Sequence, residues 1–291
     1  MADHKKDIDD VTGVETTGHE WDGLKELNNP LPRWWLITFY ICIVWAVGYW
    51  IAMPAWPLVS DYTKGLLGSS QREQAIAAYQ AATTARAEKG SGLVNASLED
   101  IEGNQDLLEF AMANGKAAFG DNCAACHGTG ATGSKGYPNL NDDDWLWGGT
   151  LEDIQTTITH GIRSTSEDTR VGDMTAFGKD EILNKDEIRA VANYVRTLSG
   201  QQPEAGADLE AGKTVFTDNC VACHGEDGKG MKDLGSANLT DNIWLYGGDL
   251  DTIIQTVTNG RKGVMPTWQG RLDDVTIKSL AVYIHSLGGG Q

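Results

Sequence analysis

Two pentapeptides carry the most reactive side chains of this sequence, Cys123-Ala124-Ala125-Cys126-His127 and Cys220-Val221-Ala222-Cys223-His224. Two thiols three residues apart can each form a thioether to the vinyl-derived carbons on one edge of a porphyrin. The histidine that follows then lies beneath the iron as an axial ligand, so Cys-x-x-Cys-His is the attachment motif of c-type haem. Other uses of these thiols fit less well. A thioredoxin-type redox pair does not need the histidine and sits on a βαβ pattern that is absent here. Zinc needs four ligands, and three within five residues leave the fourth unprovided. A disulfide closing so short a ring would be strained.

The second axial ligand separates electron transfer from reaction at iron, because a methionine thioether closes the site and raises the potential. Met265, in Met265-Pro266-Thr267-Trp268, follows His224 by 41 residues, and Met174, in Met174-Thr175-Ala176-Phe177, follows His127 by 47. Spacing within each copy assigns Met174 to the first motif and Met265 to the second. His160, at a helix end and aligned with Asn259, is the rival ligand in the first copy. Met231 is only seven residues past His224, too close to reach the opposite haem face, and Met112 reads as a packing residue. Arg163 and Arg261 are candidates to pair with haem propionates. The carbonyls of Pro138 and Ala237 are candidates to accept from the histidine ring nitrogen that does not face iron.

These residues recur in order. The segment Asp121–Gly128 returns as Asp218–Gly225, Asn139-Leu140 as Asn238-Leu239, and Trp145-Leu146-Trp147-Gly148-Gly149 as Trp244-Leu245-Tyr246-Gly247-Gly248. One module is therefore written twice, over 113–200 and 201–291, each copy long enough to hold its own core. A helix leads into each motif. A second helix follows the Gly-Gly pair, at Leu151–Thr159 with Thr150 as its cap and at Leu250–Thr258. A last helix covers Lys185–Leu198 and its partner Asp274–Leu287, with Ile188, Val191, Ala192 and Val195 on one face. Pairing of first and last helices within a copy would set Phe119 on Tyr194 and Phe216 on Tyr283.

The chain has 291 residues with 41 Asp+Glu against 23 Lys+Arg, a net charge of −18. That balance excludes a nucleic-acid binder, which needs clustered cations on phosphate. An acidic surface can instead steer a partner with a basic face. Residues 34–60 hold no formal charge and five of the ten tryptophans, a length that spans a bilayer core of about 30 Å. Pro54 and Pro57 loosen its far end, and Cys42 within it has no assigned role beyond packing. The apolar run is too long for a cleaved signal peptide, and 33 polar residues precede it. Lys25 and Arg33 on one side balance Lys64 and Arg72 on the other, so charge leaves the orientation open. Residues 61–112 read as a spacer: a helix over Gln71–Lys89 stopped by Gly90 and Gly92, then a capping box at Ser97 and Asp100.

The two repeats resemble class I cytochrome c domains. The segments Gly18–Gly23 and Glu26–Trp35 before the apolar run, Pro54–Pro57 at its close and Thr63–Gly68 after it narrow the likeness. Over nearly its whole length the chain resembles the dihaem subunit family of the cbb3-type cytochrome c oxidases. That resemblance implies an all-α fold with one N-terminal transmembrane helix followed by two tandem class I cytochrome c domains. It implies two covalently bound haem c groups, one held by Cys123, Cys126, His127 and Met174, the other by Cys220, Cys223, His224 and Met265. It implies an electron-transfer subunit with no catalytic residue of its own, fed by a soluble or membrane-bound donor cytochrome. Its partners would be a catalytic haem–copper subunit, which reduces oxygen and pumps protons, and a monohaem cytochrome c subunit. Haem is attached outside the bacterial cytoplasm, so residues 1–33 would be cytoplasmic and those beyond about 61 periplasmic, anchored in the inner membrane. Thr175 stands where the second copy has Pro266, and Ala237 where the first has Pro138, which bears on the rigidity of those loops. Two other readings stay open here: a membrane-anchored dihaem cytochrome of a different respiratory enzyme, and a dihaem peroxidase, which needs a displaceable iron ligand.

Overall fold

A computed structural model describes residues 7–288, in two units that meet in sequence at Thr83 and Thr84. The first opens with a hairpin of β1 (Thr16–Trp21) and β2 (Leu24–Leu27), antiparallel with Trp21 opposite Leu24. Its turn, Asp22-Gly23, has positive φ at both positions, 49° and 85°, the geometry that tight hairpins select. Residues 1–33 are expected as a polar segment of an all-α chain, and the hairpin departs from that. Every β1 residue beyond Thr16 is exposed, so there is no buried face to impose an alternating pattern, and Asp-Gly was the only local signal.

Helix α1 covers Arg33–Ala52, is apolar after its first residue and has no buried residue. Twenty residues at 1.5 Å each give about 30 Å, the thickness of a bilayer core. The helix stops just ahead of Pro54. The chain then turns back, and the N–H groups of Leu66 and Leu67 donate to the Ile51 and Ala52 carbonyls, both at 3.0 Å. Two acceptors that a helix end leaves open are satisfied in this way, and the charge-free segment divides into a helix and its own cap.

Helix α2 covers Gln71–Val94, running through the two glycines expected to stop it. A Cβ on Gly90 would lie 3.2 Å from Phe110 and Val275, and one on Gly92 would meet Leu107 at 2.6 Å. These glycines therefore permit close packing of the helix and do not end it. Helix α3 (Leu98–Gly103) carries the expected Ser97/Asp100 capping box. Leu93, Leu98 and Ile101 are buried in a core, and Lys278 Nζ donates to the carbonyls of Leu93, Val94 and Ala96 at 3.1, 3.1 and 2.7 Å. The end of the expected spacer is thus built into the haem-motif region.

The remaining helices are α4 (Gln105–Asn122), α5 (Ala124–His127), α6 (Leu151–His160), α7 (Lys185–Leu198), α8 (Leu209–Asn219), α9 (Val221–His224), α10 (Leu250–Asn259) and α11 (Asp274–His285). They build two cores, and each core takes elements from both repeats. The first joins α4 and α6 to α11 through Phe119, Ile154, Ile158, Leu280 and Val282. The second joins α8 and α10 to α7 through Phe216, Ile253, Val257, Val191 and Val195. The expected ring pairs are accordingly exchanged: Phe119 stands 5.7 Å from Tyr283, and Phe216 stands 5.4 Å from Tyr194. At both crossings a glycine lets the helices touch. A Cβ on Gly115 would collide with the Ser279 carbonyl, and one on Gly212 with the Ala190 carbonyl.

The connection between α7 and α8, residues 199–208, explains the exchange. It holds α7 beside its sequence neighbour, as consecutive elements usually are. Buried Asn193 accepts from the Glu204 N–H at 2.8 Å, and Arg189 Nε donates to Glu204 at 2.8 Å. With α7 committed to α8, the α4 face is left for α11.

Candidate functional site

Each motif occupies one helical turn at the end of a longer helix. The N–H of Cys123 bonds to the Phe119 carbonyl and that of His127 to the Cys123 carbonyl, both at 2.9 Å, which places the two sulfurs and the imidazole on one side of the turn. Cys220 and His224 repeat the pattern at 2.8 and 2.9 Å. In both copies the first cysteine is half-buried and the second is exposed. Burial pushes the Cys123 and Cys220 thiols up to about 11, with the second cysteine of each pair adding to the effect.

The histidines are held by backbone carbonyls. His127 Nδ1 lies 3.2 Å from the Pro138 oxygen and His224 Nδ1 lies 2.9 Å from that of Ala237. A carbonyl can only accept, so Nδ1 carries the proton and Nε2 is left as a lone-pair donor to a metal. Burial lowers both imidazole pKa values, with the carbonyl contact acting in the opposite direction. Both effects of the site, a neutral ring and a fixed tautomer, are what iron ligation requires.

The methionine segments lie against the helix ends of the opposite repeat. Met265 and Ile162 exchange backbone hydrogen bonds of 2.9 and 3.0 Å, and Met174 and Arg261 exchange a pair of 3.1 Å. Met265 packs on the core that also receives Cys123 and Ala124, and Met174 on the core that receives Cys220 and Val221. Two glycines permit this: Gly161 and Gly260 cap α6 and α10 at φ 72° and 67°. A Cβ on Gly161 would collide with the Met265 carbonyl, and one on Gly260 with that of Met174.

His160 turns to the loop that the first repeat has in addition, with Nδ1 3.2 Å from Ser166 Oγ and 4.0 Å from Asp168. Arg163 donates to the backbone carbonyls of Gly172 and Gly263. Arg261 donates to Thr256 Oγ1 at 3.1 and 2.7 Å. The two candidates for propionate pairing are thus held by other acceptors. Sequence reasoning missed a third arginine: Arg170 Nε is buried without a hydrogen-bond partner, and so are the indole N–H groups of Trp145 and Trp244. Buried donors are normally satisfied. An acidic group entering each half would satisfy them, and the repeated Trp145/Trp244 landmark was the sequence signal for it. Thiols, lone-pair imidazole nitrogens, a thioether in each core and orphaned donors together fit a haem with its propionates.

The two halves also meet through acidic turns. Burial, then Asp241 and Asp142, raise the Asp144 carboxyl to about 6, with Lys232 pulling the other way.

Two helical halves, each with a haem-attachment turn and a methionine segment, behind one apolar helix define a membrane-anchored double c-type cytochrome. Residues 13–60 match the family described as the N-terminal domain of cytochrome oxidase-cbb3, FixP. Residues 112–199 match cytochrome c, and residues 207–284 match cytochrome c oxidase, cbb3-type, subunit III. The chain is 59% identical over 291 residues to the cbb3-type cytochrome c oxidase subunit FixP of Bradyrhizobium sp. strain ORS 278, covering all of both chains. It is 58% identical over 288 residues to FixP of Azorhizobium caulinodans, covering 99% of this chain and 98% of that one. With the CcoP subunit of Azospirillum brasilense it shares 55% identity over 298 residues, again across both chains in full. The chain belongs to the FixP/CcoP family of cbb3-type cytochrome c oxidase subunits. It is an electron-transfer cytochrome with two covalently bound c-type haems.

Proposed function

We propose that each haem takes its two axial ligands from different repeats, His127 with Met265 and His224 with Met174. The eight site residues are those the sequence reading names, with the methionines exchanged between motifs. The observation that carries this is the reciprocal backbone pairing of Met265 with Ile162 and of Met174 with Arg261. Supporting it, Met265 packs on the core that receives Cys123 and Met174 on the core that receives Cys220. Bound haem supplies reversible one-electron chemistry. The chain's own residues would tether it through Cys123 and Cys126 or Cys220 and Cys223, fix the imidazole tautomer through Pro138 and Ala237, and complete its ligation through Met265 and Met174. A closed iron favours electron transfer over reaction at the metal, which disfavours the peroxidase reading.

In the assembled oxidase this subunit accepts electrons from a donor cytochrome in the periplasm and passes them towards the monohaem and catalytic haem–copper subunits. Oxygen reduction and proton pumping belong to the catalytic chain. Helix α1 anchors the protein in the inner membrane with residues 1–33 in the cytoplasm and the haem halves in the periplasm. Cleavage of the haem region by protease added to spheroplasts supports that orientation; protection reverses it.

Double substitution tests the exchanged ligands. A His127→Gly background leaves one haem with complete axial ligation. Adding Met265→Leu leaves its methionine-to-iron absorption band intact, whereas adding Met174→Leu abolishes it. The reverse pattern restores ligation within each repeat.

A further inference from the structure

Trp147 and Tyr246 occupy equivalent positions in the two repeats, two residues after the indoles with orphaned N–H groups. Each ring reaches across to the loop that follows the other repeat's motif. Trp147, 8% exposed, lies flat against Gly235, where any Cβ would collide with its indole, and a Cβ on Gly172 would be 3.1 Å from the same ring. Gly235 has a φ of 62°, so that loop is shaped for contact with a flat side chain. On the other side the Gly136 N–H donates to the Leu245 carbonyl at 2.8 Å. A Cβ on Gly136 would lie 3.3 Å from the Tyr246 ring. An arginine covers each ring: Arg170 is 5.4 Å from the Trp147 centroid and Arg261 is 4.0 Å from that of Tyr246. The ring-to-loop contacts thus run in both directions, although Arg170 comes from the loop found only in the first repeat and Arg261 directly follows α10. The rings adjoin the ligand segments, since Arg261 also pairs with the Met174 backbone and the Arg170 N–H donates to the Gly161 carbonyl at 3.2 Å.

We propose that Trp147 and Tyr246 are positioning residues for electron exchange, each ring rooted in one haem-binding half and seated on the haem-motif loop of the other, so that the pair fixes the separation and tilt of the two halves. This inference rests on the two-haem relay proposed above. Aromatic rings suit the task because they are large and rigid with only two side-chain torsions, and a cation over the face holds each ring in place. Electron exchange depends on the distance and orientation of the two groups, so contacts that fix both halves relative to each other set its rate.

The experiment uses the assembled oxidase carrying both haems, with Trp147→Leu, Trp147→Phe, Tyr246→Leu and Tyr246→Phe. Two quantities are measured: electron redistribution between the haems after rapid photoreduction, and hydrogen exchange along residues 128–137 and 225–236. Trp147→Leu is expected to slow redistribution severalfold and to loosen residues 225–236, the loop of the opposite half. Tyr246→Leu does the same through residues 128–137. The phenylalanine variants keep a ring and recover most of both effects. Wild-type redistribution that survives unchanged in both leucine variants overturns the inference and leaves the relay intact. Loosening confined to each residue's own half, or no rescue by phenylalanine, also overturns it. Absence of redistribution in the wild type overturns the relay itself.

Discussion

Replacing Leu280 with alanine perturbs a helix written in the second repeat, and its cost should appear in the first. Leu280 is fully buried in α11 among Phe119, Ile154 and Ile158. A buried Leu→Ala change costs about 3 kcal/mol, and up to about 5 where the surroundings cannot collapse into the cavity. Here they cannot move inward, because α4 and α11 already touch through Gly115 and the Ser279 carbonyl. For a folded region of this size each kcal/mol lowers the melting temperature by roughly 2–4 °C, so a fall of about 10 °C is expected. Thermal unfolding of the haem-loaded protein gives the magnitude, and hydrogen exchange gives the location. Protection should fall across α4 and α5 and persist across α8 and α9. Equal loss in both regions, loss concentrated in α8 and α9, or a melting point unmoved within about 3 °C would refute the crossed packing.

Three further outcomes follow from described contacts. Gly161→Ala places a methyl against the Met265 carbonyl and should weaken methionine ligation at the first motif, read as a lowered potential for one haem, while Gly260→Ala does so at the second. Asn184 caps α7 by accepting from Asp186 and Glu187 at 2.9 and 3.0 Å. Asn184→Ala should cost about 1 kcal/mol and raise exchange in α7 and α8, although the cap lies in the first repeat. Asp144, raised to about 6 by burial and by Asp241 and Asp142, binds its proton more tightly folded than unfolded, so its ionisation removes stability as pH rises from about 4 to about 6. Asp144→Asn should therefore stabilise the protein at pH 7, by on the order of 1 kcal/mol once solvent screening is allowed for, and leave it unchanged at pH 4; denaturant melts at both pH values check this.

Much of the local structure was legible because it is decided locally. Helix α7 runs over the predicted Lys185–Leu198, and Thr150 caps α6 by accepting from Asp153 N–H at 3.1 Å. The Cys-x-x-Cys-His turns and the carbonyls behind their histidines were also legible, since both depend on short spacings. Which copy of the last helix meets which copy of the first was not. Phe119 and Phe216 are equivalent, as are Tyr194 and Tyr283, so periodicity fits either pairing equally well. The choice is made by residues 199–208, whose hold on α7 through Asn193 and Arg189 involves no repeated landmark. Gly90 and Gly92 show the same limit: a glycine that stops a helix and one that admits Phe110 or Leu107 look alike in sequence. Arg170 was hidden because its loop occurs in only one repeat.

The exchanged cores set an order for biogenesis. The first attachment turn, ending at His127, is made long before α11, which ends at His285. At synthesis rates of about 5–20 residues per second the intervening 158 residues take roughly 10–30 s. For most of that interval the leading half has its two thiols but not its closing helix α11. The second motif stands differently in the chain: α7, which packs on its leading helix α8, is already written before it, and only α10 of its core is still to come.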